Sequence, residues 1–129
     1  MEGKPIKNYS TKEILSEDPL VLTEKLKSEY LFYLPETIEN ADDLLEAGRF
    51  LGKIANSYSF LVQLSSLAKI NVRKLKREKK SKDEIDNAID RKDSINNTVE
   101  AVKMQYNAIS RLITVKQQIN EELKMTDGK

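Results

Sequence analysis

The sequence predicts an all-α protein: a long antiparallel helical hairpin, coiled-coil-like, preceded by one or two short helices. Apolar residues recur at heptad spacing through two stretches of about 42 residues each. The three prolines all lie before residue 36, so none interrupts either stretch. Leu, Lys, Glu, Ala and Ile dominate, and aromatic residues make up only 6% of the chain, a mix that suits long exposed helices better than a sheet. At 129 residues the chain is one domain by length and can bury a modest core. It divides into short N-terminal helices with a connector (1–35) and the hairpin (36–125), whose turn falls near 79–82.

In "NYSTKEILSEDP" Ser10 and Glu13 form a capping box, which starts a short helix at Thr11. Asp18 and Pro19 read as N-cap and first residue of a second helix carrying Leu20, Leu22, Leu26 and Tyr30. The run from Tyr30 to Leu34 has a strand-like composition. No partner strand exists for it, so it is read as a helix end or a buried connector.

Pro35 opens the third segment. Leu44, Leu51, Tyr58, Ser65 and Val72 occupy one heptad site, and Ala47, Ile54, Leu61, Ala68 and Leu75 the other. Phe50 and Leu64, with Phe60 and Leu67 beside them, widen the apolar face, so this helix has more than one partner. Gly48 and Gly52 lie inside it and cost roughly 1 kcal/mol each against alanine. The expected reason is close approach of another helix, either residues 19–34 or a second protomer.

Ser81 and Glu84 form another capping box and begin the last helix. Ile85, Val99, Tyr106 and Ile113 share one heptad site with Lys92, and Ala88, Ile95, Val102, Ile109 and Leu123 share the other with Lys116. Two long helices joined by a few residues pack antiparallel. A turn centred near Lys80 puts Tyr58 level with Lys103 and Lys69 level with Lys92. The N-terminal helices would cover part of the second apolar stripe, and the rest would serve a homo-oligomer.

Cysteine, histidine and tryptophan are absent. That removes disulfides, zinc–thiolate sites, thiol nucleophiles and the commonest general base. There is no glycine-rich phosphate loop, no GxSxG and no metal-ligand spacing. The expectation is a non-enzyme with no cofactor. No apolar run approaches the roughly 20 residues that span a bilayer, and "MEGKPIKNYS" has no apolar core of a secretory signal. A cytoplasmic location is expected (the host cytoplasm if the protein is viral), with no membrane partner.

The net charge of +1 hides an asymmetry: residues 1–48 hold five basic and eleven acidic groups, and residues 49–82 hold ten basic groups and one acid, Glu78. Basic charge gathered in one segment points to a polyanion more than overall charge does. Lys69, Arg73, Lys76 and Lys80 fall at spacings of 4, 3 and 4, one stripe of a helix. Lys74 and Arg77 flank it, Lys79 and Lys82 sit at the tip, and Arg91 and Lys92 stand at the same level on the other arm. Such a patch neutralises phosphates and releases their counterions without reading bases. The plainer reading is dipole capping: bases suit the end of one helix and acids the start of the next. Asp83, Glu84, Asp86, Asp90 and Asp93 are at hand to pair with the cluster, although seven bases between Val72 and Lys82 exceed what capping needs. Tyr58 and Tyr106 occupy core sites, which weakens an aromatic platform for bases.

Glu36, Glu39, Asp42, Asp43 and Glu46 form an acidic set, in which Glu39, Asp43 and Glu46 have the spacing to hold Mg²⁺, as in all-α nucleotide pyrophosphohydrolases. The level opposite them, about 115–122 by the hairpin register, offers only Glu121 and Glu122. The site therefore does not assemble within one chain, and acids in a first helical turn have an ordinary explanation.

The tract "LLEAGRFLGKIANSYSFLVQLSSLAKINVRKLKRE", followed by "AIDRKDSINNTVEAVKMQYNAISRLITVKQQI", resembles the UvsY-like family of phage recombination mediators. The likeness lies in size, in the helical hairpin and in a first long helix that ends in a basic run. It implies a ring-like oligomer that binds single-stranded DNA without sequence preference. It also implies help in loading a recombinase onto DNA coated by a single-strand-binding protein. Of the family's DNA contacts only the basic run carries over, to Arg73, Lys74, Lys76 and Arg77. The expectation is thus a DNA-binding accessory protein of phage recombination or replication. The alternative is a helical protein-interaction module, an adaptor or an inhibitor of a host enzyme, with no nucleic-acid binding.

Overall fold

Three of the described helices begin where a side chain satisfies their first free N–H groups. The computed structural model describes residues 5–31 and 41–127. Among them the chain forms a 3-10 turn (Ile6–Asn8) and the helices α1 (Thr11–Ser16), α2 (Pro19–Tyr30), α3 (Ala41–Arg77) and α4 (Lys82–Asp127), and no strand. Ser10 caps α1 with both arms of the box: Glu13 N–H donates to Ser10 Oγ (3.1 Å), and Ser10 N–H donates to Glu13 Oε1 (2.9 Å). Asp18 Oδ2 accepts from Leu20 N–H (3.1 Å) and Val21 N–H (3.2 Å), with Pro19 at the first helical position. Ser81 Oγ accepts from Glu84 N–H (3.2 Å) at the start of α4. The expectations for Phe32–Leu34, for Pro35 as a helix start and for Glu36 and Glu39 lie outside the described residues, as does the Leu123 side chain.

Helices α3 and α4 form the expected antiparallel hairpin, about 55 and 69 Å long at 1.5 Å per residue. The heptad site of Ala47, Ile54, Leu61 and Ala68 is fully buried, and so is that of Ala88, Ile95, Val102 and Ile109. Ser65 donates its hydroxyl hydrogen to Asn96 Oδ1 across the seam. That pair lies seven residues along each arm from the expected Tyr58–Lys103 level, so the register holds. Tyr106 departs from its core assignment and is 40% exposed. A phenol ring at the seam's edge keeps its polar end in water.

The N-terminal segment docks mainly on α4, along one flank of the hairpin. Thr23 and Ser94 share a hydroxyl–hydroxyl hydrogen bond of 2.5 Å, and Arg91 Nε donates to the Glu17 carbonyl. These contacts make α2 run in the same direction as α4. Tyr30 stacks on Phe60 of α3, with centroids 6.3 Å apart, and Ile6 N–H donates to Glu29 Oε1 at 2.7 Å, which ties the 3-10 turn to α2. Leu22, Leu26 and Tyr30 repeat every four residues and are buried. Leu20 was expected among them but is 78% exposed, because two residues from Leu22 is the other side of a helix. Leu64 of the second stripe is buried and Phe50 and Phe60 are half-buried. Gly48 and Gly52 are both exposed, and of the two neighbours expected for them α2 does not approach.

Candidate nucleic-acid interface

The basic tip is built on a helix end of unusual composition. Lys79 N–H donates to the Lys76 carbonyl (3.1 Å) and Lys80 N–H to the Leu75 carbonyl (3.1 Å). These bonds close α3 through a left-handed residue, Lys79, at φ 55°. Glycine usually fills such a position, because a side chain there costs about 1–2 kcal/mol. Here a lysine fills it. Helix α3 ends at Arg77, so Lys80 lies beyond the helix and not on its stripe as the spacing suggested. The stripe on the helix itself is Lys69, Arg73 and Lys76.

Heptad columns separate the cluster into faces. Lys74 continues the column of Phe60 and Leu67, on the flank that α2 covers further down. Lys69, Arg73 and Lys76 run along the opposite, open flank. Lys69, Arg73, Lys74, Lys76, Arg77, Lys79, Lys80 and Lys82 are all exposed. Arg91 stands apart from them: it is half-buried beneath the N-terminal segment and committed to the Glu17 carbonyl. Lys92 lies half-buried at the seam, with its ammonium 3.4 Å from Asp93 Oδ1.

Asp83 and Glu84 occupy the first turn of α4, where acids complement the dipole. Among the described residues, no ion pair within 4 Å joins Lys69, Arg73 or Lys76 to Asp86, Asp90 or Asp93. Asp93 is spent on Lys92. Residues 69–82 hold eight basic groups against Glu78 alone, which leaves a concentrated positive field at the tip. Ile70 (52% exposed) and Leu67 (40%) add aliphatic surface between the bases, a feature that charge counting missed.

Among the described residues no group of three or more acidic side chains is placed to hold a metal ion, and no helix is long and apolar enough to cross a membrane. No protein-family model, curated protein or solved structure matches this chain.

Proposed function

We propose that the protein is a non-catalytic DNA-binding accessory protein of phage recombination or replication, acting in the host cytoplasm. It binds single-stranded DNA without sequence preference through the hairpin tip. There it helps load a recombinase onto DNA coated by a single-strand-binding protein, and it works as a homo-oligomer. The observation that carries this reading is the exposed stripe of Lys69, Arg73 and Lys76, which among the described residues makes no ion pair within 4 Å to Asp86, Asp90 or Asp93. Lys74, Arg77, Lys79, Lys80 and Lys82 widen the contact around it. Exposed cations on a rigid helix end bind a phosphate chain by releasing its counterions. The absence of an aromatic platform at the tip favours backbone contact over base stacking.

The experiment is a salt titration with a single-stranded oligonucleotide. Log affinity should fall linearly with log salt, by roughly 0.7 per phosphate contacted. No binding at low salt would remove the reading. It would favour a protein-interaction module, an adaptor or host-enzyme inhibitor, for which exposed Ile70 and Leu67 among bases offer an anchor.

A further inference from the structure

The outer face of α3 changes character along its length. Asn56, Ser59 and Gln63 come first and carry no charge. Leu67 and Ile70 follow, then Lys74 and Arg77. Spacings of 3 and 4 place them all on one stripe, and each is exposed. This stripe is separate from that of Lys69, Arg73 and Lys76: at about 100° per residue the two lie roughly 100° apart around the helix. Leu67 is 40% and Ile70 52% exposed. Among the described residues Lys74 and Arg77 make no ion pair within 4 Å, not even with Glu78, one turn on from Lys74.

We propose that this outer stripe docks an acidic peptide segment of a partner protein, one that carries an aliphatic side chain beside its carboxylates. The aliphatic group seats on Leu67 and Ile70 and the carboxylates meet Lys74 and Arg77, so the segment lies with its acids toward the tip. Leu67 to Arg77 spans about 15 Å, three turns of helix. Charge selects an acidic partner, since the bases around the aliphatic pair are exposed and unpaired among the described residues. The aliphatic pair selects a peptide over a nucleic acid. A phosphate chain matches Lys74 and Arg77 but leaves Leu67 and Ile70 in water, and bases stack on aromatic rings, of which this stripe has none. A lipid surface takes a helix with a continuous apolar face, and Asn56, Ser59 and Gln63 interrupt this one. Lys74 and Arg77 border both stripes, so a peptide and a DNA strand would compete for these two cations, while Leu67 and Ile70 serve the peptide alone. The docking needs no nucleic acid, so it stands or falls separately from the DNA-binding reading.

The probe is a labelled peptide of Glu and Leu residues, set against a control of equal length and charge with Ser in place of Leu. Both are titrated with the full chain at low salt, without DNA, and read by fluorescence anisotropy. The Leu peptide should bind roughly ten-fold tighter, the gain expected from burying about half of two aliphatic side chains. Leu67→Ser with Ile70→Ser should bring the two peptides level and keep the helix content by circular dichroism. The same variant should leave affinity for a single-stranded oligonucleotide at its wild-type value. Lys74→Glu with Arg77→Glu should abolish binding of both peptides. Equal affinity of the two peptides for the wild-type chain overturns the proposal, as does no binding of either at low salt. So does a serine variant that loses oligonucleotide affinity as steeply as peptide affinity, because the aliphatic pair would then serve the strand. Binding of the Leu peptide by a wild-type chain that ignores the oligonucleotide supports the docking and removes only the DNA reading.

Discussion

Arg91 donates from Nε to the backbone carbonyl of Glu17, so a guanidinium that sequence level assigns to the basic tip instead fastens the N-terminal segment to α4. Replacing it with alanine should lower stability to chemical denaturant by about 1.5–3 kcal/mol, the range for a hydrogen bond made by a charged group. Affinity for single-stranded DNA at moderate salt should stay near wild type. A loss as large as that of the tip variants below would return Arg91 to the phosphate-binding set.

The tip itself is tested by reversing charge. Arg73→Glu, Lys76→Glu and Arg77→Glu together should abolish binding in a gel-shift series and leave helix content by circular dichroism unchanged. All three side chains are exposed and, among the described residues, make no ion pair whose loss would unfold the helix. Unaltered binding would sink the DNA reading.

Lys79→Gly separates backbone from charge at the turn. Glycine accepts φ 55° without the cost a side chain carries there, so stability should rise by roughly 0.5–1 kcal/mol. One cation is lost, so the salt slope should flatten by about 0.7 if Lys79 contacts a phosphate. An unchanged or lower melting temperature would contradict the left-handed closure.

Tyr30 gives a pH dependence. Its burial, with the Glu29 carboxylate adding to it, raises the phenol from 10.0 to about 12. The folded state therefore holds this proton between pH 10 and about pH 12, where the unfolded chain has released it. The resulting stability is fully present below pH 10 and is lost as pH rises through about 12. Tyr30→Phe should remove that component of the alkaline slope, read from denaturant melts of both chains. Identical slopes would place the phenol in water.

Where hydrogen bonds close within a few residues, sequence was enough. Ser10, Asp18 with Pro19, and Ser81 each mark a helix start because the cap is satisfied locally. The buried column from Ala47 to Ala68 was legible because heptad spacing turns directly into one face. The rest depends on partners far along the chain. Nothing near Arg91 says which flank the N-terminal segment chooses, and that choice engages its guanidinium. The tip's cations were visible as composition. The placing of Arg91 beneath the N-terminal segment and of Lys74 on the flank that α2 covers was not, since it follows from where α2 lies. Lys79 gave no sign either, because a left-handed closure is announced by glycine and none is there.

The flank that α2 occupies also orders events in time. Thr23 and Glu17 find their partners 71 and 74 residues later in the chain. As the polypeptide leaves the ribosome, its first helices emerge with nothing of α4 to hold. They stay undocked until Arg91 and Ser94 have followed and α4 has folded back. The part synthesised first therefore waits for more than half of the chain before it can dock.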